Sequence, residues 1–295
     1  MKSPDSDTRQ RGIILIVVLW TVASLSLLLS TINVSVRTNN AVARAELITA
    51  KLESLADAGV ELAVARLHAR GDQSWLPNGQ PYDVSFGGAA LRIRITDANG
   101  LVDLNKADAG VLFAVFKTKL GSDQKAVQLR DWVLAQRASA TASAQRAIGA
   151  RVVAGSRTDQ SSAFIHVDDL LRNGSMNVQM LNSLRDVLTV HSRQGKINPV
   201  NASEALLTVL PGVGAETAAA IVEARARSDK KLSLAGLVAK SGRSSLKSGE
   251  GPAYRITVDV SGAGFAKPVT MTAVILVGTD GDAPYYGLSW EPFGF

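Results

Sequence analysis

The stretch whose residue types and spacing best suit a chemical task runs from Asn198 to Arg225. Asn198-Pro199-Val200-Asn201-Ala202-Ser203-Glu204 leads into Ala205-Leu206-Leu207-Thr208-Val209-Leu210. The turn Pro211-Gly212-Val213-Gly214 follows, then an Ala-rich segment that ends near Arg225. This pattern predicts a helix-hairpin-helix over 198–226. Asn201 can cap the first helix with Glu204 as its reciprocal partner, and Pro-Gly-Val-Gly suits the tight turn. Leu206, Leu210, Ala218 and Ile221 then close the pair. Such a hairpin can aim backbone N–H groups and the positive end of a helix at a phosphate. The candidate phosphate contacts are Gly212, Gly214, Arg225 and Arg227, with Lys230 and Lys231 close by. The same hairpin also serves simply to pack two helices, and fold by itself does not choose between these uses. The segment Leu104-Asn105-Lys106-Ala107-Asp108, continuing through Leu112, begins in a similar way and suggests a second, degenerate unit.

Other chemistry finds little footing. His68, His166 and His191 are isolated, without the paired spacing of a zinc site. No serine stands in a nucleophile-elbow motif. Asp168-Asp169 precedes Leu170-Leu171, where acidic residues suit the first turn of a helix, and Asp280-Gly281-Asp282 reads as a turn. There is no cysteine, which excludes disulfides and thiolate metal sites. The net charge of +6 is spread along the chain without a run of five or more basic residues, so it does not by itself mark a nucleic-acid surface.

The elements that must carry these residues begin with an apolar run. No charged residue falls within 12–36, about 25 residues, and about 20 suffice for a helix to cross the hydrocarbon core of a membrane. Lys2, Arg9 and Arg11 precede the run and favour a cytoplasmic N-terminus. Beyond Arg37 the pattern turns amphipathic: Ala41, Ala45, Ile48, Leu52, Leu55, Gly59 and Leu62 draw one apolar stripe. One helix is expected from Ile13 to about Ala69, roughly 85 Å long at 1.5 Å per residue. Gly71, Pro77, Asn78-Gly79 and Pro81 then signal a loop. Alternation at Tyr82-Val84-Phe86 and Leu91-Ile93-Ile95 around Gly87-Gly88 predicts a hairpin, and 101–104 a further short strand. Helical spacing takes over from about Ala107 to Lys247, including Leu184 and Leu188, and 138–162 reads as a surface connection. Strand alternation returns at 254–260 and 269–277. A lone hairpin is only marginally stable, so the early and late strands are expected to join one antiparallel sheet under the long helix.

The N-terminal pattern resembles the class III signal of type IV pilins and type II secretion pseudopilins, in which a prepilin peptidase cuts after Gly. The resemblance implies cleavage between Gly12 and Ile13 and N-methylation of Ile13. Most of these proteins carry Glu at the fifth mature position, where this chain has Val17. The K-type minor pseudopilin characteristically lacks that Glu and carries a large helical domain inserted in its sheet. The chain is therefore identified by resemblance as K-type. The implied fold is α+β, a pilin-like long N-terminal helix, transmembrane in its first half, packed on an antiparallel sheet with an inserted all-α SAM-like domain. The implied division is leader 1–12, transmembrane 13–36, soluble helix 37–70, β region 71–104 and 250–295, and inserted helical domain 105–249. The implied role is architectural and non-enzymatic: a tip complex with the I-type and J-type minor pseudopilins, anchored in inner-membrane lipid, priming the pseudopilus for export of folded proteins. Other pseudopilins and the prepilin peptidase are the remaining implied partners, and nucleic acid is not one. No cofactor is expected. K-type relatives often follow an Asp-Trp pair with further acidic residues that ligate calcium, but Asp131-Trp132 is followed by Val133-Leu134-Ala135, and Ca²⁺ needs six to eight oxygens. The alternative reading is a membrane-anchored periplasmic DNA-uptake protein that uses the hairpin. An anchored periplasmic hydrolase lacks a convergent catalytic set.

Overall fold

The structure is a computed structural model that describes residues 6–149, 162–226, 245–247, 249, 251–262, 268–278 and 283–294. Side chains at 6–15, 28–38, 41, 146–149, 226 and 292–294 lie outside that description. Two compact units are present, 1–55 and 56–295.

Helix α1, Ser6–His68, is a single helix of 63 residues. Its absence of Gly and Pro between Ile13 and Ala58 removes the residues that break helices most readily. In the first unit the side chains from Ile16 to Leu27 are apolar or small and mostly exposed, Trp20 at 74% and Val17 at 56%. Among the described residues no helix is long and apolar enough to cross a membrane, and the described side chains of this run stop at Leu27.

In the second unit five strands form one antiparallel sheet: β1 (Asn78–Phe86), β2 (Ala89–Asp97), β5 (Ala253–Gly262), β6 (Val269–Val277) and β7 (Tyr285–Gly294), in the order β1-β2-β5-β6-β7. Gly87 and Gly88, both at positive φ, make the two-residue turn that matches strand twist between β1 and β2. The expected loop at Asn78-Gly79 and Pro81 is instead the start of β1. An edge strand tolerates the missing proline N–H, and the register shifts there. Strand β7 extends the sheet beyond the two late strands legible from alternation.

One face of the sheet, with Leu91, Ile93, Ile95, Ile256, Val258 and Ile275, is fully buried. The last turns of α1 meet it through Ala56, Gly59, Val60, Ala63 and Val64, which are buried, whereas Leu62 from the expected stripe is only partly so. Small residues win the contact because they let helix and sheet backbones approach. A Cβ at Gly59 would sit 2.8 Å from a Val258 methyl.

The further helices among the described residues lie in sequence between β2 and β5, which are hydrogen-bonded neighbours. They are α2 (Ala109–Leu120), α3 (Asp123–Gly149), α4 (Val178–Arg185), α5 (Glu204–Val209) and α6 (Gly214–Ala226), with a 3₁₀ turn at Val167–Arg172. Their common core includes Leu112, Phe116, Val133, Phe164, Leu184 and Ile221. Two expectations are corrected here. Residues 138–149 continue α3, since Ala, Arg and Gln favour helix, and 150–161 lie outside the described residues. Leu188 is not helical: Leu188–Thr189 form β4, parallel to β3 (Val102–Asp103). Val102 N–H and Leu104 N–H bond the carbonyls of Val187 and Thr189, and Arg255 bonds those of Arg185 and Leu188. Tertiary partners thus take the backbone groups that a longer α4 would need.

Candidate functional site

In the 198–226 hairpin, α5 and α6 are joined through Pro211-Gly212-Val213, with Gly212 and Gly214 at φ 82° and 67°. No atom lies within 4 Å of a Cβ built on Gly214, so the backbone there is open. The cap differs from the expected one. Ser203 is the N-cap and accepts from Leu206 N–H, while Asn201 is buried and donates to Asp97 Oδ2 at 2.8 Å. Arg225 turns inward. Its Nη2 donates to the Pro199 carbonyl, its Nε is buried without a partner among the described residues, and burial pulls it down to about 10, opposed by Glu204. The guanidinium ties α6 to the segment before α5. Arg227, Lys230 and Lys231 lie outside the described residues.

Asp97, at the end of β2, is the hub of a buried polar cluster. Its carboxylate accepts from Asn99 N–H, Asn201 Nδ2, Gly251 N–H and Asn198 Nδ2 at 2.8 to 3.5 Å. Burial pushes its pKa up, and these four hydrogen bonds pull against that. Asp103 is held the same way by Asn105 N–H, Ser192 Oγ and Arg193 N–H. Arg137 of α3 donates to the carbonyls of Leu104 and Ala107. The two similar starts at 104–112 and 198–210 are therefore both fastened by buried carboxylates, which is structural work.

The remaining candidates separate. Gly12 and Ile13 lie within α1, and of their side chains nothing is described. Asp169 caps the 3₁₀ turn by accepting from Ile165 and His166 N–H, whereas Asp168 pairs with Arg185 at 2.6 Å. Asp131 is exposed and pairs with Arg130, and Trp132 packs beside Phe164. Among the described residues no three His, Cys, Asp or Glu side chains gather as a metal site. Asp280 and Asp282 lie outside the described residues.

What the sequence reading did not find is a cleft of 780 Å³ between the outer face of the sheet and helices α2, α4 and α5. Strand register builds its floor in two rows: Thr96, Arg255, Val274 and Ser289, then Arg94, Thr257, Thr272 and Glu291. His166 and His191, far apart in sequence, both line it. Burial first, then the charges of Arg255, His166 and Arg193, lower His191 to about 4. The signal was present as period-two polar residues at 255, 257, 259 and 270, 272. What it could not give was the wall opposite.

With this architecture in view, a likeness among solved structures carries weight. The chain matches one in the crystal structure of the GspK-GspI-GspJ complex from the enterotoxigenic Escherichia coli type 2 secretion system. The TM-score is 0.51 at 11% identity, covering 85% of this chain and 99% of that one. The fold is pseudopilin-like. No family model matches the sequence, and no curated protein does.

Proposed function

We propose that this chain is a K-type minor pseudopilin of a type II secretion system. The observation that carries the proposal is the arrangement of one long N-terminal helix and a five-stranded antiparallel sheet, with five helices among the described residues in sequence between the paired strands β2 and β5. The matched chain belongs to a GspK-GspI-GspJ complex, which supports the same kind of assembly here. In this reading residues 1–12 are removed by the prepilin peptidase, 13–36 anchor the chain in the inner membrane, and the remainder lies in the periplasm. The chain then joins I-type and J-type subunits at the pseudopilus tip and primes growth of the filament. Its work is architectural, so no residue needs to be catalytic. Residues 71–104 and 250–295 form the pilin-like region and 105–249 the insertion.

Co-expression of the full chain with its I-type and J-type counterparts, followed by affinity capture from detergent, tests the proposal. All three should elute together. Recovery of the other two as a pair without this chain would count against the tip role. Among the described residues the hairpin offers the DNA-uptake alternative no outward cation, because Arg225 is committed to the Pro199 carbonyl.

A further inference from the structure

The cleft under the outer sheet face has one wall of mixed character and one that is largely polar. The helical side offers Val115, Leu206 and Val209 beside Thr118, Lys119 and Asp186, while the sheet side offers hydroxyls and a guanidinium. Two surfaces meant only to pack would both be apolar and would close on each other, since burying unpartnered polar groups is costly. Here the sheet face is polar along both cross-strand rows except at Val274. Thr257 and Thr272, opposite each other in register, have hydroxyls without a hydrogen-bond partner among the described residues. The volume lies within the range of sites that hold small ligands.

Arg255 marks the centre of that floor, on the middle strand of the sheet. It donates to two carbonyls, Arg185 O at 2.7 Å and Leu188 O at 2.6 Å, and forms no ion pair with a carboxylate among the described residues. A guanidinium has five N–H donors in a fixed fork, so donors remain beyond those two bonds. Arg94 and Arg185 in the same lining are already matched by Asp259 and Asp168. Glu291 and Asp186 also line the cleft, and their charges act on Arg255 without an ion pair to it, which disfavours a purely anionic guest and favours one that brings donors as well. A peptide meets all of these demands. Its carboxylate suits the guanidinium fork, its N–H groups suit Glu291 and the threonine hydroxyls, and its apolar side chains suit the helical wall.

We propose that this cleft binds a short peptide segment through a carboxylate seated on Arg255. The carboxylate is either an acidic side chain or a free C-terminus. The site does not depend on the secretion reading and can stand or fall separately from it.

Calorimetric titration of the full chain in detergent with three peptides tests the proposal: Ac-Ala-Ala-Asp-NH₂, Ac-Ala-Ala-Ala-OH and Ac-Ala-Ala-Ala-NH₂. The first or second should saturate with a Kd on the order of 100 μM, about 5.5 kcal/mol, and which one does so identifies the source of the carboxylate. The fully capped peptide should not bind. Arg255→Gln should weaken binding at least tenfold. Because Arg255 also holds the end of α4, the pair Thr257→Val and Thr272→Val provides a near-isosteric second test, expected to weaken binding by several fold while leaving the circular dichroism melt in place. Absence of saturable binding by both carboxylate peptides would overturn the proposal. So would equal binding of the capped peptide, binding indifferent to the threonine pair, or sodium acetate or sulfate binding as tightly as the peptides.

Discussion

At the scale of single residues, buried charge and close approach give the sharpest expectations. Asp97 serves four donors with two oxygens, and Asn in its place would turn an N–H₂ toward some of them. Asp97→Asn should therefore destabilise the second unit by about 2–3 kcal/mol, read as a lower midpoint in urea. His191 gives a pH dependence of known sign. Its folded value near 4 lies below the ordinary 6.5, so the stability it confers is complete above pH 6.5 and is lost as pH falls toward 4. The loss is on the order of 2 kcal/mol once solvent screening at this partly open site is allowed for. Asp97 and Asp103 act oppositely: burial raises both, and their contribution is complete below their ordinary value of 3.8 and lost as pH rises through the raised one. The difference in Tm between the parent and His191→Asn across pH 4–6.5 isolates the histidine, and a difference flat with pH would refute it. At Val17 the proposed tip position leaves no neighbour above to supply an amine. Val17→Glu should give no gain in secretion, because a carboxylate in the bilayer costs a few kcal/mol unless it is paired or protonated. Increased secretion would sink the tip assignment.

At the scale of elements, the meeting of α1 with the sheet is set by absence of bulk. Ala at 59 would favour the helix by about 1 kcal/mol, yet its methyl would press on Val258, which is fully buried in the middle strand. Overpacking of this kind costs about 1–3 kcal/mol. Gly59→Ala should come out destabilising, and Val258→Ala in the same chain should recover part of the loss. Simple additivity in that double-mutant cycle would show that the two do not touch. The start of α1 carries a separate expectation. Gly12→Val should block the proposed peptidase step, leaving the mass of 1–12 on the membrane-extracted protein, whereas the parent should begin at a methylated Ile13.

At the scale of the whole molecule, the helical insertion is fastened to the sheet by polar contacts from both sides. Asp97 holds Asn198 and Asn201, and Arg255 holds the backbone at Arg185 and Leu188. These groups are spread over more than 150 residues of sequence, so the unit should melt as one. Near-UV and far-UV circular dichroism should give coincident transitions for residues 56–295, and two separated transitions would show the insertion to be independent. DNA should not shift with the full chain at physiological salt, since the one described cation of the hairpin is turned inward.

Periodicity by itself determined the long helix, the Gly87-Gly88 hairpin and the strands at 254–260 and 269–277, because these patterns are local and repeat along the chain, and the marginal stability of a lone hairpin gave their union in one antiparallel sheet. The turn at Pro211-Gly212-Val213-Gly214 was legible for the same reason. Tertiary structure decided what local pattern leaves degenerate. Asn201 and Ser203 are both good caps, and only the pull of buried Asp97 on Asn201 gives the cap to Ser203. Leu188 continues a helical spacing, yet Arg255 and β3 draw its backbone into a strand. Arg225 could point outward to a phosphate or inward to a carbonyl, and the nearby Pro199 carbonyl takes it inward. The cleft is the clearest case, because a site made from two walls has no existence until residues 94–96, 166, 191, 206 and 255–274 are brought together. Sequence spacing encodes which face of an element is apolar, whereas the partner of a polar group depends on which other element the fold sets against it.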